Sequence, residues 1–479
     1  METWYWTIFA LLFGACTGSF LNVVIYRWPR GISLLSPSRS FCPTCSHSIA
    51  WYDNLPVLSY LRLGGRCRSC HNPISLQYPL VELATMLVFV MTFDAFFAAR
   101  QRFGVGDMGD DWVILIAHWL LWAGMIALAV MDLEAYLVDV NVTWSVLLVG
   151  LIGHAFWTPL RSKGLEEWIR PSPTQAAFAL AVTVGLGVGA LLFLRRPQEV
   201  LPEQLPDEEL PLPPPVEMPR RRVPIGLLVA LLLVGGYAVA VSLMGEQPRL
   251  RRPPSLVELT AFGQQARASE IDAGAIRLAA GLAITFVGLV LAASRPSPDA
   301  DQEIVDAIRE EAPQSRRNAL LELRLLLPAF VLVGALFFLL SSSYGTAFEA
   351  HARAVLHWSP VGHWEPVWGL CTALAGWVIG GAIGWMTRII GTLLLGKEAL
   401  GMGDVHIMAA AGAVAGWPVV LIGFFLAAVL ALLGLIVIHF RRQSRALPYG
   451  PWLALGFFIA SVYQDRILLF LQARWLFEH

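Results

Sequence analysis

Apolar runs of membrane-spanning length, broken by short polar stretches, set the character of this chain. Runs near 4–26, 79–98, 113–131, 140–157, 176–194, 224–243, 275–293, 324–342 and 367–386 are each long enough, as helix, to cross roughly 30 Å of hydrocarbon. A longer run, 405–440, contains Ala415-Gly416-Trp417-Pro418, and proline disfavours continuous helix. It reads as a half-helix over 405–416 followed by a full span that ends at Arg441, Arg442 and Arg445. A last span near 449–463 leads to a short amphipathic tail. The pattern predicts an all-α polytopic membrane protein, a helical bundle of about 11–12 membrane segments.

Composition agrees. Of 479 residues 56% are hydrophobic and only 14% charged, against about 45–50% and about 25% in soluble domains. Trp is abundant at 18, as many membrane interfaces would require. The net charge of −1 gives no reason to expect a nucleic-acid partner; the lipid bilayer is the partner that composition implies. The first span lacks a basic segment before it and a small-residue cleavage site after it, so it reads as a retained span. Arg27 and Arg30 follow it. By the positive-inside rule the N-terminus then lies outside and the next segment faces the cytoplasm. Arg195-Arg196, and Arg388 with Lys397, agree with the alternation that follows.

The polar positions divide the chain. Residues 1–26 form the first span. Segment 27–78 holds six Arg, one acidic residue (Asp53) and four of the six Cys. Spans over 79–157 follow, then a region at 158–366 with four further spans, then a C-terminal membrane domain at 367–479. The stretch 197–219 is rich in Pro and acids, cannot bury a core, and reads as an extended cytoplasmic loop. Residues 295–323 read as a second cytoplasmic loop.

Cys42-Pro-Thr-Cys45 and Cys67-Arg-Ser-Cys70 are two CxxC pairs with 21 residues between them. Two such knuckles can present four thiolates to one tetrahedral zinc with no position left for water, which is a structural site. Disulfides are the alternative, and a reducing cytoplasmic location argues against them. His47 and His71 flank the knuckles and read as surface histidines. Cys16 and Cys371 lie in apolar spans and read as inert core thiols.

Carboxylates in or beside membrane spans are costly, so each is a candidate for function. Asp94 is expected to be solvated at the outer interface. Asp132 and Asp404, 272 residues apart, are both expected at the cytoplasmic membrane edge. Gly401 and Gly403 would let the backbone before Asp404 approach a helix or a substrate strand. Two facing carboxylates share a proton, so one can activate water while the other protonates a leaving group. The alternative is that each caps a helix N-terminus or pairs with Arg388 or Lys397.

At this point the motifs resemble those of the prepilin peptidases, also called type IV leader peptidases. The resemblance runs through Gly18-Ser19-Phe20-Leu21-Asn22-Val23-Val24-Ile25-Tyr26-Arg27, the four cysteines and Trp51-Tyr52-Asp53-Asn54-Leu55-Pro56. It continues through Gly65-Arg66-Cys67, Pro73-Ile74-Ser75 and Tyr78-Pro79-Leu80-Val81-Glu82 to Asp132-Leu133-Glu134, Gly401-Met402-Gly403-Asp404-Val405 and Pro448-Tyr449-Gly450-Pro451. It covers roughly half the chain, about 1–155 and 367–463.

The resemblance implies a bacterial inner-membrane aspartic endopeptidase with Asp132 and Asp404 as its catalytic pair. Such enzymes remove the basic leader of prepilins and pseudopilins in type IV pilus and type II secretion systems. Many also methylate the new N-terminus with S-adenosylmethionine. Glu82 matches a family position, and reads either as a helix carboxylate paired with a loop Arg or as a participant in methyl transfer. Three departures stand out. His406 replaces the usual Lys beside the second Asp and could titrate near neutral pH. Val138-Asp139-Val140 replaces the usual turn after the first Asp. The third is the insertion at 158–366, whose even number of spans preserves the orientation of both catalytic segments.

Other readings use the same aspartates. A presenilin-type protease shares the Gly-x-Gly-Asp motif, but its Tyr-Asp partner is lacking here. A transporter or proton-relay protein would place carboxylates at mid-membrane. A catalytically dead assembly factor would have no need of both aspartates.

Overall fold

The computed structural model describes residues 3–102, 105, 108–157, 225–244, 273–293, 313–324, 327–328, 331–332, 335, 365–440 and 448–477. The spans expected at 176–194 and, for the most part, 324–342 lie outside these residues, as do the Pro- and acid-rich loop 197–219 and the side chain of Cys371.

The described residues form helices with no strands, only two isolated bridges, Phe41 with Ser48 and Arg66 with Pro73. In chain order they are α1 (Thr3–Arg27), α2 (Leu58–Arg62), α3 (Gln77–Phe93), α4 (Met108–Ala135), α5 (Val140–Phe156), α6 (Ile225–Met244), α7 (Ala273–Ala293), α8 (Glu365–Leu395), α9 (Met402–Ala415), α10 (Trp417–Phe440) and α11 (Gly450–Phe477). Five helical stretches are long and apolar enough to cross a membrane: Thr3–Arg30, Gln77–Ala98, Asp111–Ala135, Thr372–Leu395 and Trp417–Ile436. Four shorter apolar helices accompany them. The chain is thus an all-α polytopic membrane protein. Large apolar side chains on the outside of α1, α6 and α10, such as Leu12, Leu232 and Phe425, face where lipid would lie.

The apolar run after residue 401 breaks where its sequence demands. Gly416, at φ +87, ends α9, and Trp417-Pro418 starts α10 with proline where a free N–H is not needed. At the C-terminus the structure corrects the expected tail. Helix α11 runs unbroken from Gly450 to Phe477, well past residue 463.

Helices α1 and α3 pack along each other, α4 packs on α5 and α11, and α8 lies against α9 and α5. Phe89 and Trp119 stack at 5.1 Å at the core of α3 and α4, and the Trp119 indole N–H donates to the Phe89 carbonyl at 2.9 Å. Asn22 ties α1 to α3 by donating to the Tyr78 carbonyl at 3.1 Å. The α8–α9 contact is close along its length. Gly376 and Gly412 face each other backbone to backbone, and a Cβ on Gly380 would lie 2.5 Å from the Met408 carbonyl. This is the small-xxx-small packing of membrane helices, in which dispersion at close range replaces the hydrophobic drive.

Two readings of single residues change. Cys16 is exposed on the outside of α1, not in the core. Asp94 is fully buried, not solvated. It begins a π-turn, Asp94–Ala98, that follows α3. Tyr237 of α6 donates to its Oδ2 at 2.8 Å, Arg277 of α7 donates Nε to the same oxygen at 2.9 Å, and Arg277 Nη2 pairs with Oδ1. Helices α6 and α7, from the region 158–366, are therefore latched to the end of α3 by a buried ion pair with a Tyr237 hydrogen bond.

Removing one partner strands the other charge in an apolar interior. Asp94→Ala or Arg277→Ala is expected to cost about 3–5 kcal/mol, read as a lower thermal midpoint in detergent. Replacing both by Leu is expected to be less damaging than either single change.

Candidate functional site

Segment 27–78 is built around its cysteines. Each CxxC sits in the same tight turn: Ser46 N–H donates to the Cys42 carbonyl and Cys42 N–H to that of His47, as His71 does to Cys67 and Cys67 to Asn72. Ser46 and His71 occupy equivalent positions at φ 57 and φ 58. The four ligand sulfurs of Cys42, Cys45, Cys67 and Cys70 lie within 4.8 Å of one another, with Cys42 and Cys70 Sγ at 3.9 Å. A tetrahedron with metal–sulfur bonds of about 2.3 Å has sulfurs about 3.8 Å apart. The donor set therefore fits a metal ion, and all five described cysteines are free of disulfides. His47 and His71 are exposed and outside the cluster.

Two polar contacts hold this segment in place. Buried Arg27 donates to the carbonyls of Ser33, Leu34, Pro37 and Arg39, fixing the strap that leads into the first knuckle. Asp53 takes Arg68, which lies between the second pair of cysteines, through two bonds at 2.6 and 2.7 Å, and Arg62 at 2.6 Å. The Arg68 guanidinium, with Arg62, holds the Asp53 carboxyl down to about 2. The stability this contact contributes is present above the ordinary value of 3.8 and is lost as pH falls toward 2.

Glu82, buried on α3, points into the same segment. Its Oε2 accepts the Val57 N–H at 2.6 Å. Val57 is β-branched yet sits at φ 58, ψ −47, the centre of a γ-turn closed by Leu58 N–H on the Pro56 carbonyl at 2.5 Å. That conformation is strained. Of the two sequence readings of Glu82, pairing with a loop Arg is replaced by this backbone contact, which braces the turn against the bundle.

Asp132 lies in the last turn of α4 and is 7% exposed. Its Oδ2 accepts the Gly450 N–H, the first of α11, at 2.8 Å. Asp404 occupies the third position of α9, half-buried. Its carboxylate reaches back to the N–H of Gly401, the residue capping that helix. Such a return contact is half of a capping box. The capping alternative is thus real for both residues, but it does not separate them: the two carboxylates are near enough to repel each other. Each faces the positive end of a helix, α9 for one and α11 for the other, and this favours negative charge there.

Glycines make the approach. A Cβ on Gly403 would lie 2.6 Å from Val138 Cγ2. The departure at Val138-Asp139-Val140 is accommodated, since Asp139 caps α5 by accepting the Asn141 N–H at 2.7 Å. Arg388 pairs with Glu322 and Glu398 rather than with either aspartate. His406 is half-buried one turn into α9. Sequence reasoning missed the Gly450 N–H; its only signal was the small residue between two prolines in Pro448-Tyr449-Gly450-Pro451.

Comparison with known proteins now bears on this arrangement. Residues 12–96 match the Bacterial Peptidase A24 N-terminal domain. Three similar proteins carry the name prepilin leader peptidase/N-methyltransferase. The one from Myxococcus xanthus is 42% identical over 145 residues, 30% of this chain and 39% of its own length. Those from Klebsiella pneumoniae and Vibrio cholerae are 38% and 36% identical, each over 32% of this chain and over 65% and 57% of their own lengths. Over these residues the chain is similar to the prepilin leader peptidases. The matched part spans between about two-fifths and two-thirds of these relatives. No solved structure matches. Among the residues matched to the peptidase A24 domain are Glu82 and all four clustered cysteines.

Gly450 gives the site its sharpest steric test. A Cβ there would lie 2.7 Å from Asp132 Oδ2. Gly450→Ala is expected to push the carboxylate aside and cost about 1–3 kcal/mol through the lost buried contact, read as a lower thermal midpoint in detergent with membrane insertion unchanged.

Proposed function

We propose that this chain is a prepilin leader peptidase that cleaves the basic leader of prepilin- or pseudopilin-like proteins by an aspartic dyad, Asp132 and Asp404. The observation that carries the reading is the meeting of these two carboxylates at one end of the bundle, each braced by a backbone N–H. Facing carboxylates share one proton. The ionised carboxyl takes a proton from water as its oxygen bonds to the scissile carbonyl carbon. The protonated carboxyl then gives its proton to the leaving amide nitrogen as the C–N bond breaks. Gly401, exposed at the helix cap, leaves room beside Asp404 for the substrate backbone, whereas the space at Gly403 is taken by Val138. His406, two residues after Asp404, is proposed as the residue that tunes the charge near the pair.

The substrate's apolar helix would lie in the bilayer against the bundle, with the scissile bond at the membrane edge. We place that edge, and the segment 27–78, on the cytoplasmic side of the bacterial inner membrane, on the strength of Arg27, Arg30 and the other basic flanks. The position of both carboxylates at helix ends argues against a mid-membrane proton relay. Neither Asp132→Asn nor Asp404→Asn is expected to remove the leader when co-expressed with a prepilin-like substrate. Cleavage surviving either change, seen as a mobility shift of the product, would sink the dyad.

The four-cysteine cluster is proposed to hold a structural zinc. Cys42, Cys45, Cys67 and Cys70 supply all its ligands, so the ion would fold the segment and leave the hydrolysis to the carboxylates. Elemental analysis of the purified chain is expected to give one zinc per chain, lost in a Cys42→Ser, Cys67→Ser variant. A full complement of zinc in that variant would count against the assignment.

A second activity is proposed, N-methylation of the new N-terminus from S-adenosylmethionine, because the similar proteins are named as N-methyltransferases as well as peptidases. Glu82, which the resemblance places near that chemistry, is committed to the Val57 N–H and is proposed instead as the brace of the loop.

A further inference from the structure

We propose that the inserted region supplies positioning residues to the turn that carries Asp404. What that turn does rests on the peptidase reading; the contact itself does not. Residues 313–324 are helical, lie inside the insertion, and pack against the end of α8 that leads through 396–401 to Asp404.

The contact has two parts. Arg316 caps α8, donating Nε to the Leu393 carbonyl at 3.1 Å and Nη2 to that of Leu394 at 3.4 Å. These are among the last carbonyls of the helix, which have no partner within it, and a cation there offsets the negative helix end. Gly396, at φ +74, turns the chain directly beneath the guanidinium; a Cβ there would lie 3.3 Å from Nη2. The second part is a relay of charge. Glu322 accepts the Trp385 indole N–H through Oε2 at 3.1 Å and pairs through Oε1 with Arg388 Nη2 at 3.2 Å. The same nitrogen pairs with Glu398 at 3.2 Å, inside the turn. Thr392 Oγ1 accepts the Ala399 N–H at 3.2 Å and pins the turn from below.

Two physical consequences follow. The turn is held at its start, where Arg316 caps α8 over Gly396, and at Glu398, six residues before Asp404, by the Arg388 that Glu322 orients. Glu398 is also close enough to Asp404 to repel it. Arg388, which pairs with Glu398 as well as Glu322, offsets part of that charge. The three charged side chains are 18%, 24% and 30% exposed, so water and salt screen them less than a surface pair. A network of this kind holds geometry that an isolated surface pair would not. Arg316 and Glu322 belong to the part of the chain outside the family resemblance, while their partners Trp385, Arg388 and Glu398 lie within it.

The test uses the full chain in lipid vesicles, with Arg316→Ala and Glu322→Gln. The amide hydrogens of 396–404 are expected to exchange about tenfold faster in each variant, since local opening of the turn loses about 1.4 kcal/mol of restraint. Leader cleavage is expected to fall about tenfold in kcat with KM unchanged. Arg316→Lys, which keeps the charge and one bond, is expected to recover part of both. Exchange at the parental rate overturns the contact, whether or not the chain cuts a prepilin. Faster exchange with unchanged kcat overturns its service to the dyad. Failure of the parental chain to cleave at all, with exchange altered as expected, overturns the peptidase reading and leaves the contact standing.

Discussion

The backbone-to-backbone approach of α8 and α9 determines where Asp404 can be. Gly376, Gly380 and Gly384 line one face of α8, and α9 lies on them so closely that side chains larger than hydrogen would meet its carbonyls or Val405. In a bilayer such contact is favoured because lipid offers apolar chains no less than another helix does, so shape and close packing decide which helices pair. Helix α9 is short, 14 residues, and ends at Gly416 without crossing a full bilayer. Its start, with Asp404 in the first turn, is consequently placed at a level set by α8 rather than by its own length. The site inherits the rigidity of that contact.

A carboxylate at a membrane edge must still be satisfied. Here each of the two uses the start of a helix: Asp404 the N-terminus of α9, Asp132 that of α11. Asp132 sits at the end of α4, where the helix dipole is unfavourable to negative charge, and the Gly450 N–H offsets this. The same economy recurs at Glu82, whose carboxylate is spent on a strained backbone N–H, and at Asp139, which caps α5. Asp132, Asp404, Glu82 and Asp139 are each tied to a main-chain donor. Where a cationic partner is present, at Asp94, the acid becomes a latch for other helices.

The insertion is bound to the rest of the molecule at two levels. Helices α6 and α7 are latched at the far end of α3 through Asp94, Tyr237 and Arg277. Residues 313–324 reach the end that holds the dyad through Arg316 and Glu322. The start of α3 lies at that end too, where Gln77 meets Glu134 beside Asp132. The cysteine segment, the dyad and part of the insertion thus share one face of the bundle.

The division between sequence and tertiary structure follows from the range of the forces involved. Hydropathy, proline and glycine act locally. The positions of α1, α3, α4 and α5, the break at Gly416 and the two cysteine knuckles could accordingly be read from the chain alone. Asp132 and Asp404 could be named because a carboxylate in an apolar context is conspicuous. What they touch could not, because Gly450 is 318 residues from Asp132 and its N–H leaves no mark in its own sequence. Asp94 was misread for the same reason. Near the end of a span it looks solvated, and only the arrival of Tyr237 and Arg277 from the insertion buries it. Cys16 was misread because a uniformly apolar span carries no periodicity to tell lipid from core. The sequence determined which segments are helical and which residues are candidates for the chemistry. The tertiary structure decided which of those residues meet, because contacts between membrane helices depend on backbone shape and distant donors.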